Sequence, residues 1–214
     1  MSYLLRVVLP DRPGMLGAVA TALGDAGADI VSLDVVERGP DGAVDDLLVQ
    51  LPPGGLADSL ITAARSVPGV VVESLRPYLG ADDLHRDLEL VDELAAAPGE
   101  ALQLLVDHAP GVFRAGWALL VGPDGVTAHS PGAPEQSGLD LPTVSAPRRV
   151  TVNEAWVPAR WHELGVELAV APVGASGAAI VLGRPGGPRF RDSEVMRLAH
   201  LAGIAVTVLG TVEV

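Results

Sequence analysis

PDRPGMLGAVATALGDAGADIVSLDV, residues 10–35, holds one helix and the opening of the strand that follows it. Met15, Leu16, Val19 and Leu23 recur at spacings of three and four, which lays a single apolar stripe along a helix. Asp11 is placed to cap that helix and Pro13 suits its first turn. Gly24 and Gly27 end it, and ADIVSLDVVER (Ala28–Arg38) reads as a strand. Upstream, YLLRVVL (Tyr3–Leu9) is a buried strand. Downstream, Gly39-Pro40-Asp41-Gly42 is a strong turn signal and Ala43–Leu51 is the returning strand. Leu56, Leu60, Ile61 and Ala64 then mark a second helix, Pro68-Gly69 stops it, and Val70–Leu75 is a fourth strand. The order strand, helix, strand, strand, helix, strand predicts a ferredoxin-like βαββαβ sandwich, because each crossover carries its helix to one face of the sheet.

Past residue 80 the pattern changes. Asp82-Asp83 opens a helix with Leu84, Leu88, Val91 and Leu94 on one face, and Gly99–Ala109 reads as another with Leu102, Leu105 and Val106 inward. GWALLV (Gly116–Val121), the turn Gly122–Gly125 and Val126–Ser130 make a hairpin. Residues 131–147 are rich in Pro, Gly and Ser and read as a loop, followed by a strand at Arg148–Val152. Glu167–Val173 and Ala178–Leu182 form a second hairpin across Gly174–Gly177. A last helix begins near Asp192, with Val195, Leu198, Ala199, Ala202 and Ala205 on one side. The expected class is α+β in two domains, residues 1–79 and 80–214, the second an antiparallel sheet flanked by helices.

Composition excludes much chemistry. The 214 residues contain no cysteine, so disulfides, thiolate nucleophiles and thiolate metal sites are ruled out. All 14 basic residues are arginines, which removes Schiff-base lysines and the phosphate-loop and kinase lysines. The formal charge is −13, shared by both halves: 5 Arg against 10 Asp and Glu in residues 1–80, and 9 against 17 in residues 81–214. Such a surface repels phosphate backbones and anionic membranes, so neither nucleic acid nor a membrane is expected as a partner. No apolar run reaches bilayer length and the start carries no basic-then-apolar signal, so a cytoplasmic protein is the expectation.

No catalytic constellation stands out. His162-Glu163 begins like a zinc-protease helix, but position 166 is Val where the second histidine belongs. His85, His108, His129 and His200 are scattered without metal-ligand spacing. Ala128-His129-Ser130-Pro131-Gly132 lacks the first glycine and the following helix of a nucleophile elbow. Trp117 sits in an apolar strand and reads as core; Trp156 and Trp161 read as core first and pocket lining second. No catalytic residue, metal site or cofactor is expected.

The first half resembles the ACT domain, a small regulatory module of amino-acid metabolism, on the stretch quoted above and on VPGVVVESLRPY, residues 67–78. Aromatic base-stacking residues and a cysteine pair, which other users of this fold need, are missing. The resemblance implies a homodimer of side-by-side sheets holding a free amino acid at the seam. A carboxylate is favoured at the backbone N–H groups around Arg12–Leu16, the turn that also holds Pro13, Gly14 and Met15, because a helix starts there. Asp11 and Asp29, next to Ile30, are placed to accept from the ligand's ammonium group. Family members often carry asparagine at one or both aspartate positions, and aspartate cannot donate. The bland alternative is an N-cap at Asp11 and a turn glycine at Gly14 in a domain that only dimerises.

The second half resembles a GAF/PAS-like domain, through GWALLVGPDG (residues 116–125) and FRDSEVMRLAHLAGIAVTVLG (residues 190–210). The expected protein is a non-catalytic regulator that binds a small ligand and signals through an unidentified protein partner. The alternatives are a dimerisation scaffold without a ligand, or a regulatory subunit of an amino-acid metabolic enzyme.

Overall fold

In a computed structural model, which describes residues 1–40, 42–78, 86–135, 139–151 and 153–210, the chain divides into two units, Met1–Leu84 and His85–Val214. The first is built from β1 (Ser2–Leu9), α1 (Met15–Asp25), β2 (Asp29–Gly39), β3 (Gly42–Gln50), α2 (Ala57–Ser66) and β4 (Val71–Tyr78). Its sheet runs β2-β3-β1-β4 with every pair antiparallel, which is the ferredoxin-like order. Alternate residues of the two central strands, Leu5 and Val7 with Leu47 and Val49, are buried with Val19 and Leu23 of α1 and Leu60 and Ala64 of α2. Burying a valine- or leucine-sized side chain stabilises by roughly 1.5–3 kcal/mol, and the period-two alternation puts the strand residues on one face.

Two details refine the sequence reading. β4 continues past Leu75 to Tyr78, because Leu75, Arg76, Pro77 and Tyr78 pair with Leu5 back to Ser2. The β2–β3 turn needs its glycine: Gly42 has φ +124°, and a Cβ there would lie 2.5 Å from the Leu9 carbonyl oxygen. Its neighbour Asp41, part of the expected turn, lies outside the described residues. β2 is an edge strand whose register slips twice, at Val31 and at Val36. Val31 and Val35 are exposed along it.

The second unit contains α3 (Arg86–Ala96), a 3₁₀ turn (Pro98–Glu100), α4 (Ala101–Val112), β5 (Trp117–Gly122), β6 (Gly125–His129), β7 (Arg148–Val150), α5 (Ala159–Glu163), β8 (Val166–Val173), β9 (Ala178–Pro185) and α6 (Asp192–Leu209). The strands form an antiparallel sheet in the order β6-β5-β9-β8-β7, a GAF-like arrangement. On one face Leu94, Leu105 and Leu198 from α3, α4 and α6 pack with Ala118, Ala171 and Ile180. The other face carries a second core around Trp117, Leu119, Trp161 and Val181.

Leu88 departs from the expected stripe of α3: it is 65% exposed, whereas Leu94 of that stripe is buried, Val91 packs against the core, and Leu90 is buried in addition. The expected helix start at Asp82–Leu84, His85, and Val152 at the end of the expected third strand lie outside the described residues. α4 continues beyond Ala109 through Pro110 to Val112. β9 also continues past Leu182 to Pro185, paired with β8 as far as Val166. There Gly183 lies against Trp117, and a Cβ on it would sit 2.1 Å from the indole ring.

Candidate functional site

The loop between β1 and α1 is organised by its own backbone. The Arg12 N–H donates to the Pro10 carbonyl at 2.8 Å, and Gly14 follows at φ +90°. A Cβ at Gly14 would meet nothing within 4 Å, so glycine is required there by conformation and not by space. Gly14 is the N-cap of α1, its carbonyl accepting from the Ala18 N–H at 2.9 Å. No side chain caps the helix. The expectation that Asp11 caps α1 and Pro13 occupies its first turn is therefore corrected. Pro13 biases Arg12 toward extended backbone, and the left-handed Gly14 delays the first helical residue to Met15.

This shift matters for chemistry. The Leu16 and Gly17 N–H groups have no hydrogen-bond acceptor among the described residues, and Asp11 makes no hydrogen bond to any of them. Asp11, Arg12, Pro13 and Gly14 are exposed, Leu16 is half-buried, and Met15 is buried and anchors the loop in the core. Open donors at the start of a helix beside a free carboxylate suit a small zwitterion better than a simple anion.

Asp29 and Ile30 lie elsewhere. Asp29 pairs with Gln50, and Gln50 with Ser2 at the start of β1, whereas the loop leaves the far end of β1 beyond Leu9. The whole of α1, 11 residues, separates the two groups. At 1.5 Å per residue that is about 16 Å, so one chain does not bring Asp11 and Asp29 together.

A residue the sequence reading passed over lies beneath the loop. Asp45 faces Val7 on β1 and Val35 on β2, on the helix-covered side with Ala43 and Leu47, and is 3% exposed. Its Oδ1 is buried without a hydrogen-bond partner. Burial pushes its carboxyl above the ordinary range; Arg38 pulls it back, and nearby Asp46 and Asp11 push it further up. The signal was present in the sequence: two adjacent carboxylates in the apolar run Ala43–Leu51 cannot both face away from a core. Asp46, on the other face, takes the buried Arg6 fork at 2.6 and 2.7 Å directly across from it.

The second unit holds its aromatic residues as structure. Trp117 and Trp161 lie with ring centroids 4.7 Å apart, and Trp156 is buried while donating its indole N–H to Glu154 at 2.8 Å. No group of histidines and carboxylates suited to a metal occurs among the described residues. No described helix is long and apolar enough to cross a membrane.

Residues 3–76 match the ACT domain family. No curated protein matches the chain in sequence. Among solved structures, the GAF domain of a putative sensor histidine kinase from Pseudomonas syringae pv. tomato is similar at 15% identity and a TM-score of 0.44, over 61% of this chain and 87% of that one. A formyltetrahydrofolate deformylase from Pseudomonas putida is similar at 11% identity and a TM-score of 0.29, over 45% of this chain and 38% of that one. The regulatory subunit of aspartate kinase from Thermus thermophilus, in its ligand-free form, is similar at 13% identity and a TM-score of 0.33, over 98% of this chain and 91% of that one.

Proposed function

We propose that the chain is a non-catalytic regulatory protein whose first unit binds a free amino acid between two copies of itself. The observation that supports this best is the β1–α1 loop of an ACT-type unit, with two open N–H donors at a helix start and an uncommitted carboxylate at Asp11. The ligand's carboxylate meets the Leu16 and Gly17 N–H groups, and its ammonium group meets aspartate. The separation of Asp11 from Asp29 supports a shared site. Two copies paired antiparallel along the edge strand β2 bring the loop of one to the Asp29 end of the other. Exposed Val31 and Val35 supply apolar contact along that edge.

The amino acid closes the seam and so favours one arrangement of the pair, provided it binds that arrangement more tightly than the other. The second unit passes the change to a protein partner.

A thermal-shift panel of the twenty amino acids on the full chain tests this. A ligand present at a hundred times its dissociation constant adds about 2.7 kcal/mol of stability. A shift with one or two amino acids, lost in Asp11→Ala and in Asp29→Ala, is the expected result. A dimer unmoved by all twenty overturns the ligand and leaves a dimerisation scaffold; a monomer overturns the shared site.

A further inference from the structure

In the second unit, a cleft of about 900 Å³ opens where the edge strand β7 meets the start of α6. Three of the chain's 14 cationic side chains, Arg148, Arg149 and Arg189, line it, although the chain as a whole carries −13. They are held unequally. Both Nη atoms of Arg148 bind Glu154, at 2.6 and 2.8 Å, and Glu154 also accepts from the Thr151 N–H and the Trp156 indole. That arginine is consumed in fixing the segment after β7. Arg149 meets Asp192 at 3.2 Å, a pair whose side chains are 50% and 74% exposed. Arg189 meets Glu167 at 3.8 Å and is 78% exposed.

The carboxylate partners are dispensable for the fold. α6 is capped by Glu194, whose Oε2 accepts from the Arg191 N–H at 2.7 Å, so Asp192 is not needed for that role. Exposed pairs of this kind contribute little to stability. An incoming anion with two or more charges can therefore replace Asp192 and Glu167 on their arginines at small cost, assisted by the partial positive charge of the 18-residue helix α6. Of the apolar residues at the cleft, Met196 is 48% exposed, whereas Val150 and Val195 are buried. Trp117 and Trp161, in the core on the other face of the sheet, do not line the cleft.

We propose that this cleft binds a small, multiply charged anion, a phosphate ester or a polycarboxylate, bridged by Arg149 and Arg189 beside the exposed Met196. The site is separate from the β1–α1 loop, and its test does not depend on the amino-acid reading. Isothermal titration of the full chain with pyrophosphate, adenosine monophosphate and citrate at low ionic strength is the measurement, the three probes separating phosphate from carboxylate chemistry. At least one is expected to bind saturably. Arg149→Gln and Arg189→Gln should each weaken it at least tenfold. Asp192→Asn and Glu167→Gln, which remove the competing carboxylates, should tighten it severalfold. Absence of saturable binding by all three overturns the proposal. So does unchanged binding in the double Arg149→Gln/Arg189→Gln variant, or weaker binding in Asp192→Asn.

Discussion

Two buried carboxylates, Glu194 in the second unit and Asp45 in the first, are treated in opposite ways. In the second unit Glu194 accepts from Arg184 at 2.6 Å and from the Arg191 N–H at 2.7 Å, and its arginine also donates to the carbonyls of Phe113 and Pro188. The Arg184 guanidinium stacks over Phe190 at 3.9 Å. In the first unit Asp45 sits against the core with a bare Oδ1. A buried charge with a full set of partners fixes geometry, while one without them is a standing cost to the fold. The difference lies in the acids themselves: both oxygens of Glu194 accept a hydrogen bond, whereas Asp45 beneath the β1–α1 loop keeps a bare Oδ1.

The comparison is broken most forcefully by Arg184→Met, which strips Glu194 of its cation and turns it into a second unpaired carboxylate. A loss of about 3–5 kcal/mol is expected in urea denaturation of the second unit. A loss below 1 kcal/mol would mean that Glu194 is held by the helix start alone. Asp45→Leu runs the other way. Removing an unsatisfied carboxyl from the core should raise the first unit's stability by about 1–3 kcal/mol, and a loss would show that the carboxylate has a stabilising partner.

Acid sharpens the same contrast at smaller scale. The Asp45 carboxyl is raised above its ordinary value of 3.8, so its contribution to stability is present in full below that pH and fades as pH rises through the raised value. Glu154 is opposite. The Arg148 fork lowers its carboxyl from 4.5 to about 2, so its contribution is present above 4.5 and lost as pH falls toward 2. Denaturation midpoints between pH 2 and 6 should therefore lose one slope in Asp45→Asn and the opposite slope in Glu154→Gln. Two variants with the same change in slope would refute the assignment.

Much of the fold was legible, because it rests on periodicity. The spacing of Met15, Val19 and Leu23, the apolar run Tyr3–Leu9 and the glycine-rich turns each specify an element before any tertiary contact is known. What was illegible depends on the partner surface. Leu88 and Leu90 are both leucines on α3, and the surface beneath α3 takes Leu90 beside the expected Leu94 and leaves Leu88 exposed. α5 spans five residues, with Trp161 buried against the sheet, and carries no pattern long enough to read. At the loop, Asp-Arg-Pro-Gly offers two residues that can cap a helix, and backbone conformation chose Gly14. Asp45 stays hidden in a reading that takes Ala43–Leu51 only as a returning strand and assigns none of its residues to a face.

The strand order of the second sheet carries a consequence for synthesis. β9 lies between β5 and β8 and is made after both. The first unit's last strand, β4, only adds to an edge beside β1. On a ribosome the first sheet can close as soon as residue 78 has emerged. β5 ends at residue 122 and β9 begins at residue 178, so at 5–20 residues per second its central edge waits roughly 3–11 s for its neighbour. During that interval the apolar run Trp117–Val121 lacks the β9 neighbour it pairs with in the finished sheet.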